Sequence, residues 1–252
     1  MLSKNQIKHI KSLAKIKFRN QHEEYIAEGA KLINDLTEAG SAPKYIVATE
    51  EWLKQNPNCA NFNSIQVKES ELKSISQLKH PQQVLGVFKI AAPVLNTNTL
   101  RKDLTLVLDQ IQDPGNFGTI IRIADWFGIQ QIICIKGTVD LYNPKVVQAT
   151  MGAISRVNIF YVTIEEFEEI VNQTKVPVYG TFLEGKNIHQ SSLSKAGFIV
   201  MGNEGNGISN ELKKLISDKL FIPSYPPGSE TSESLNVSVA TAITCSEFRR
   251  NS

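Results

Sequence analysis

The sequence predicts an α/β protein in which a mostly parallel sheet with helices on both faces follows a smaller α/β domain. Strand-like and helix-like stretches alternate over the C-terminal two-thirds, which is the pattern of such a sheet. A segment near residues 91–103 contains Pro, Asn and Thr but little apolar periodicity, as a linker would. At 252 residues the chain is long enough for two globular domains. We therefore predict domains over residues 1–93 and 104–252.

The composition indicates a globular protein without a membrane segment or a metal site. With 41% hydrophobic and 21% charged residues, the chain does not fit the disordered or fibrous classes. The N-terminus is too charged for a signal peptide, and no run of about 18 apolar residues could span a membrane. We therefore expect a cytoplasmic protein. The cysteines have no metal-ligand spacing and predict neither a disulfide framework nor a metal site: Cys59, Cys134 and Cys245.

Positive charge is concentrated at the N-terminus. Residues 1–20 contain six basic residues and no acidic residue, although the net charge of the whole chain is only +2. A helix over residues 3–16 would place four lysines within a stripe of about 60°: Lys4, Lys8, Lys11 and Lys15. Such a stripe suits the phosphate backbone of a nucleic acid, and a solvated helix face is the alternative.

Before the linker, the patterns predict helices over Glu23–Ala39 and Ser70–Gln77 and strands at KYIVATE, SIQVK and QQVLGVFKI. After it, strands are predicted at LTLVLD, QIICIK, VNIFYV, PVYGTF, FIVMGN and LFIPS. The intervening helices are predicted over Phe117–Phe127, Pro144–Met151, Ile164–Gln173, Asn210–Ser217 and Ser234–Arg250. Ligands bind at the carboxyl ends of the strands in such sheets, so unusual residues at those ends are candidates for a site.

The first unusual strand end is LDQIQDPGNFGTIIRIADWFG. A strand ends at Asp109, and a Pro-Gly turn leads to Asn116, which suits the N-cap of the next helix. Arg122 follows six residues later. Because a guanidinium is always charged and has five donors, it pairs with an acid or binds phosphate. An internal salt bridge to Asp125 or Asp109 is the alternative.

The second end is FIVMGNEGNGIS, in which an apolar strand runs into Gly202, Glu204, Gly205 and Gly207. Closely spaced glycines let a ligand approach the backbone and leave amide groups free to bind it. The spacing is not that of a dinucleotide-binding loop or a P-loop. The alternative is a tight turn before a helix that starts from Ser209.

The third end is FIPSYPPGSETSESLNVSVATAI, where a strand is followed by a Pro/Gly/Ser loop and a helix. Hydroxyl groups and Asn236 crowd the start of this helix, where free backbone amides can hold a carboxylate or a phosphate. The alternative is a well-capped helix, with Ser232 or Ser234 as the cap.

Together, in this order, the three segments resemble the SpoU (TrmH) branch of the SPOUT methyltransferases, over roughly residues 104–250. The family's Asn-x-Gly-x-x-x-Arg element is matched by Asn116, Gly118 and Arg122. Its Gly-x-Glu-Gly element is matched by Gly202, Glu204 and Gly205. Its Ile-Pro…Ser-Leu-Asn-Val-Ser element is matched by Ile222, Pro223, Ser234, Leu235, Asn236, Val237 and Ser238. Three matches in sequence order are hard to explain by chance.

The resemblance implies a deep trefoil knot in the C-terminal domain, which topology alone would not predict because knots are nearly absent from proteins. It also implies a homodimer. The implied cofactor is S-adenosylmethionine, bound by Thr181, Phe182, Leu183, Gly202, Gly205, Ile222 and Leu235. Residues 18–90 resemble the L30e-type RNA-binding domain that precedes many family members. The loop from Pro223 to Ser234 is longer than is usual in the family, which leaves open which residue contacts the ligand: Gly228, Ser229 or Ser232.

The implied activity is transfer of a methyl group to a ribose 2′-hydroxyl of structured RNA, with ribosomal RNA expected before transfer RNA. Arg122 is expected to hold the target phosphate and to stabilise the developing alkoxide, because a free guanidinium accepts protons poorly. The other catalytic candidates are Asn116, Glu204, Ser234 and Asn236. The alternatives are a base-N-methyltransferase of the same superfamily and a non-catalytic RNA-binding assembly factor. A nucleotide-dependent oxidoreductase would need a glycine fingerprint after the first strand, which the sequence lacks.

Overall fold

The computed structural model describes residues 2–226 and 232–250. The chain forms two compact units. The first consists of Met1–Ala92 and Asp140–Arg156, and the second of Pro93–Val139 and Val157–Ser252. The sequence prediction placed residues 140–156 with the C-terminal part, whereas they pack in the first unit. Within the described ranges, no helix is long and apolar enough to cross a bilayer.

The first unit contains a four-stranded sheet. Its strands are β1 (Glu24–Glu28), β2 (Pro43–Ala48), β3 (Ser64–Gln66) and β4 (Val84–Lys89), in the order β1–β4–β2–β3. β4 runs antiparallel to both β1 and β2, and β3 runs parallel to β2. The helices are α1 (Lys4–Ser12), α2 (Ile16–His22), α3 (Ala30–Glu38), α4 (Glu50–Gln55) and α5 (Glu69–Ile75), with a 3₁₀ helix over Pro57–Asn61.

The predicted helix over Glu23–Ala39 is wrong in its first part, where β1 lies. All five residues of β1 are buried, including Glu24 and Glu28, so no exposed polar face marks the strand in the sequence. Gly29, with a φ of +102°, ends the strand and lets α3 begin at the next residue. The pairing of β1 with β4 outweighs the local helical preference.

The predicted basic helix also ends early, because α1 stops at Ser12. Arg19 is only 3% exposed, and its Nη1 donates to the carbonyl oxygens of Leu13 (2.8 Å) and Ala14 (2.9 Å). These carbonyls therefore bond to a side chain, and the backbone turns before α2. Lys15 is the N-cap of α2 and does not extend the stripe. The lysines that remain exposed on α1 are Lys4, Lys8 and Lys11.

A segment from the middle of the sequence completes the core of the first unit. It contains α8 (Pro144–Thr150) and a 3₁₀ helix over Ala153–Ser155. Asp140 accepts a hydrogen bond from Nε of Arg19 at 3.0 Å. Val147 packs in the same apolar cluster as Trp52, which is 2% exposed. Both contacts join residues far apart in sequence, so no local pattern predicts them.

The sheet of the second unit consists of β5 (Leu104–Leu108), β6 (Gln131–Ile135), β7 (Asn158–Val162), β8 (Val178–Phe182), β9 (Lys186–Asn187), β10 (Gly197–Met201) and β11 (Asp218–Phe221). The order is β7–β6–β5–β10–β8–β11–β9, and each neighbouring pair is parallel. The helices are α6 (Thr97–Leu100), α7 (Pro114–Trp126), α9 (Ile164–Thr174), α10 (Asn210–Lys213) and α11 (Val237–Arg249), with a 3₁₀ helix over Ile188–Gln190. The predicted parallel α/β sheet is confirmed, although the two-residue β9 was not predicted.

The strand order brings the three unusual strand ends to one edge of the sheet. β10 lies between β5 and β8, and β11 lies on the other side of β8. The last residue of β10, Met201, pairs with Leu108 of β5, and Phe221 of β11 pairs with Phe182 of β8. Because parallel strands end at the same edge, the loops that follow β5, β10, β8 and β11 are neighbours.

Candidate active site

α7 begins with a capped turn that follows the end of β5. Asp113 is the N-cap, and its Oδ1 accepts a hydrogen bond from the backbone N–H of Asn116 at 2.7 Å. Pro114 occupies the first helical position, where its missing N–H costs nothing. The prediction of Asn116 as the N-cap is therefore wrong, because Asp113 and Pro114 start the helix earlier. As a result, the side chain of Asn116 contacts groups outside its own helix.

The amide of Asn116 links the three predicted strand ends. Its Nδ2 donates to Oε1 of Glu204 at 3.1 Å, and its Oδ1 accepts from Nδ2 of Asn236 at 3.0 Å. Because one end of this amide faces an acceptor and the other faces a donor, its orientation is fixed. The structure therefore brings Asn236, Asn116 and Glu204 together in one hydrogen-bonded series, which we call the amide chain.

Arg122, on α7, is exposed and unpaired. It makes no hydrogen bond or ion pair with any residue of the ranges 2–226 and 232–250. The alternative of a salt bridge to Asp109 or Asp125 is therefore excluded. Asp109 instead accepts a hydrogen bond from the backbone N–H of Ser209 through Oδ2. A solvent-facing guanidinium without a protein partner keeps all its donors for an anionic ligand.

The glycine loop, residues 202–209, connects β10 to α10 and carries Glu204. A Cβ on Gly202 would lie 2.5 Å from the carbonyl carbon of Gly207, so only glycine fits this approach of two backbone segments. The backbones of Asn203 and Gly207 bond to each other in both directions, at 3.0 and 2.9 Å. The loop is therefore a closed turn that presents Glu204 at its exposed tip.

The third strand end leads from β11 to α11. Asn236 is the N-cap of α11, and its Oδ1 accepts from the N–H of Ser238 at 3.0 Å and from its Oγ at 2.6 Å. The prediction of Ser232 or Ser234 as the cap is wrong, because Asn236 lies closest to the first free amides. Ser234 is exposed. The further candidates Gly228 and Ser229 lie outside the described residues.

Most of the residues predicted to hold the cofactor lie at or just after the ends of β8, β10 and β11, and Leu235 directly precedes the N-cap of α11. Thr181 Oγ1 donates to the carbonyl of Val200 on β10 at 3.0 Å, which ties the ends of β8 and β10 together. Leu183 and Leu235 have exposed fractions of 76% and 47%, unusually high for leucine. Of the others, Phe182 is the last residue of β8, and Gly202 and Ile222 directly follow β10 and β11. Gly205 lies in the glycine loop.

Sequence reasoning missed two side chains that shape this edge, Asp113 and Asn203. For Asp113 the signal was the Asp-Pro pair, since aspartate favours the N-cap and proline favours the next position. Asn203 accepts from the backbone N–H groups of Gly205 (2.9 Å) and Asn206 (3.0 Å). Its signal was an asparagine within a glycine-rich turn, where such side chains bond to nearby backbone.

The cysteines of the second unit do not contribute a nucleophile to this site. Both Cys134 and Cys245 are fully buried. Burial raises the pKa of the Cys134 thiol well above its ordinary value and that of Cys245 to about 12. Because the thiolate is the reactive form, these side chains act as small apolar packing groups.

Comparison with known families identifies the chain as a methyltransferase. Residues 103–246, more than half of the chain, match the sequence model of the SpoU rRNA Methylase family. The chain belongs to this family. Residues 4–86 of this SpoU family member match a second model, the MRM3-like substrate binding domain. The resemblance seen in the three strand-end motifs is therefore confirmed, and with it the predicted enzyme class.

Similar proteins match nearly the whole length of this SpoU family member. A Bacillus subtilis protein named 23S rRNA (guanosine(2553)-2′-O)-methyltransferase is 28% identical, over 96% of this chain and 95% of that protein. A TrmH-family RNA methyltransferase structure from Porphyromonas gingivalis has a TM-score of 0.88 and 38% identity, covering 100% of both chains. An AdoMet-bound rRNA methyltransferase from Sinorhizobium meliloti has a TM-score of 0.86 and 30% identity, covering 99% of this chain and 96% of that one.

Proposed function

We propose that this protein transfers a methyl group from S-adenosylmethionine to a ribose 2′-hydroxyl of ribosomal RNA, with transfer RNA as the second choice of substrate. The observation that carries the proposal is the amide chain together with the unpaired Arg122. Arg122 lies on α7, the helix that also carries Asn116 of the amide chain. The family, and relatives named for rRNA and for 2′-O-methylation, support it. We assign the reaction to the cytoplasm.

The residues at the ends of β8, β10 and β11 fit S-adenosylmethionine. They offer backbone groups of the glycine loop and two exposed leucines, Leu183 and Leu235, whose apolar surface suits an adenine ring. When bound, the cofactor supplies an activated methyl group on a sulfonium. We assign its binding to Thr181, Phe182, Leu183, Gly202, Gly205, Ile222 and Leu235.

In this proposal Arg122 binds the phosphate next to the target ribose and stabilises the negative charge that develops on the 2′-oxygen. A guanidinium stays protonated, so electrostatic stabilisation suits it better than a base role. Asn116 and Glu204 shape the part of the site where the methyl-accepting ribose binds, since the amide chain fixes both side chains. Ser234 and Asn236 orient the ribose and the cofactor. Alignment of donor and acceptor supplies much of the rate enhancement.

We assign the trefoil knot that the family resemblance implies to the chain from β10 to α11. The sheet order supports this assignment. After β11, on the far side of β8 from β10, the chain returns to α7, where Asn236 bonds to Asn116. α11 then packs along α7, and Arg249 donates to the carbonyl of Phe127 at 2.9 Å. A chain that crosses back in this way is the kind of path that a knot requires.

We further propose that two copies of the chain associate through α7 and α11. Trp126 on α7 is 85% exposed and Val239 on α11 is 48% exposed, although the two helices pack together. Large apolar side chains exposed on neighbouring helices mark interaction surfaces. Sedimentation should give about twice the 28.0 kDa chain mass, and Trp126→Glu should give the single-chain mass. A wild-type monomer at micromolar concentration contradicts this part of the proposal.

The activity is tested by transfer of labelled methyl from S-adenosylmethionine to ribosomal RNA from cells that lack this protein, followed by nucleoside analysis. A labelled 2′-O-methylnucleoside is the expected product. A labelled base-methylated nucleoside would assign the enzyme to the base-N-methyltransferase branch. No transfer to ribosomal or transfer RNA by the folded protein would favour a non-catalytic RNA-binding factor and overturn the proposal.

A further inference from the structure

The glycine loop is held by the side chain at the variable position of the Gly-x-Glu-Gly motif, Asn203. Asn203 Oδ1 accepts from the N–H groups of Gly205 (2.9 Å) and Asn206 (3.0 Å). Its Nδ2 donates to the carbonyl of Gln110 at 2.7 Å. Gln110 has a positive φ of 55°, a conformation that few residues adopt without support. Asn203 therefore closes the glycine loop and also ties it to the segment that follows β5.

A second side chain holds the far end of the same loop. Asp109 is 1% exposed, and its Oδ2 accepts from the N–H of Ser209 at 2.6 Å. Its Oδ1 is buried and has no hydrogen-bond partner in the described part of the chain. A buried carboxylate with an unsatisfied oxygen lowers stability, so stability does not explain this residue. Such exceptions are expected where a residue serves a site.

We propose that Asn203 and Asp109 are positioning residues for methyl transfer. Together they fix both ends of the glycine loop against the end of β5, and this places Glu204 within 3.1 Å of the Asn116 amide. They act through Glu204 and do not touch the substrate. The inference rests on the proposed function, because it takes the amide chain as part of the reacting site.

The first test measures hydrogen exchange of individual backbone amides by NMR and needs no activity. Asn203→Ala should raise the exchange rates of Gly205 and Asn206 by about tenfold or more, because each amide loses its acceptor. The matched control is Asn187→Ala, which removes an equivalent asparagine acceptor, that of the His189 amide. The control should leave both loop amides unchanged. Unchanged exchange in Asn203→Ala overturns the proposal.

The second test separates kcat from KM in the methyl-transfer assay. Asn203→Ala and Asp109→Ala should each lower kcat about tenfold with little change in the KM for RNA, because loop geometry affects the reacting state. Asp109→Asn keeps an oxygen that can accept from Ser209 and should restore kcat to within about threefold of wild type. Altered exchange without loss of kcat, or failure of Asp109→Asn to rescue, overturns the proposal.

The two tests also distinguish this proposal from the proposed function. If the wild-type protein transfers no methyl group to RNA, the proposed function fails, and the kinetic test then has no baseline. The exchange test still decides whether Asn203 holds the glycine loop. If wild type is active and the variants lose no activity, the proposed function stands and the positioning role fails.

Discussion

Arg19 in the first unit and Asp109 in the second are both buried charged residues, with exposed fractions of 3% and 1%. Arg19 bonds to the carboxylate of Asp140 and to two backbone carbonyls. Asp109 bonds to one backbone amide through Oδ2, and its Oδ1 has no hydrogen-bond partner among the described residues. The first unit thus satisfies its buried charge, whereas the second leaves one incompletely satisfied at the base of the glycine loop.

Other charged residues of the two units differ in the same way. In the first unit, buried Glu24 bonds to Lys44 and to His9, and buried Glu28 accepts from the N–H of Gln77 at 2.7 Å. In the second unit, Arg122 has no partner in the part of the chain that the structure describes. The buried charges of the first unit therefore serve folding, while the exposed Arg122 of the second remains available to a ligand.

Sheet topology explains how the second unit gathers its polar groups. In its parallel sheet, the loops after β5, β10, β8 and β11 all lie at one edge. In the first unit, β4 runs opposite to the other three strands, so its carboxyl end lies at the edge opposite to those of β1, β2 and β3. A parallel sheet therefore places three motifs that are distant in sequence at the same edge.

The largest effect is expected at Arg122, because the comparison of the two units assigns this unpaired charge to function and not to folding. Arg122→Ala should lower kcat about 1,000-fold, because it removes a charge that stabilises the transition state. Cofactor affinity, measured by calorimetry, and the free energy of unfolding should stay at the wild-type values. Arg101→Ala is the control, since this exposed arginine of the same unit bonds to the carbonyl of Gln173. Equal loss of transfer and cofactor affinity would indicate a structural role.

A large effect of the opposite kind is expected at Asp140. Asp140→Ala leaves the buried guanidinium of Arg19 without its carboxylate and should lower the free energy of unfolding by about 3 kcal/mol, with little loss of kcat. Fluorescence of the buried Trp52 in a Trp126→Phe background follows urea unfolding of the first unit. Glu50→Ala, which breaks an exposed ion pair with Lys54, should cause no measurable change. A stable Asp140→Ala protein would contradict the comparison.

The sequence was sufficient to predict the features that depend on short stretches of neighbouring residues. Apolar runs identified β10 and its neighbours, and three short motifs identified Asn116, Glu204 and Asn236, which the structure joins. The helix starts were harder to predict, because several residues near each start could act as caps. Asp113 and Asn236 fill that role, and only backbone geometry decides between such neighbours.

The features that the sequence did not predict depend on contacts between distant residues. Arg19 and Asp140 are 121 positions apart, yet this pair anchors residues 140–156 in the first unit. The same arginine bonds to the carbonyls of Leu13 and Ala14, directly after α1, where local periodicity alone would continue the helix to residue 16. Local preference is a weak guide wherever a buried charge reorganises the backbone.

A smaller effect is expected for the exposed lysines of α1, and it sharpens the comparison between the units. If the first unit binds RNA and the second carries the chemistry, replacing Lys4, Lys8 and Lys11 by Gln should raise KM about tenfold and leave kcat unchanged. The slope of log affinity for an rRNA fragment against log salt should become shallower by about 2, since three phosphate contacts are lost. The matched control removes three other exposed lysines of the same unit: Lys31, Lys73 and Lys79. An equal loss in the control would mean that only net charge matters, and unchanged affinity in the α1 variant would make its lysines a solvated helix face.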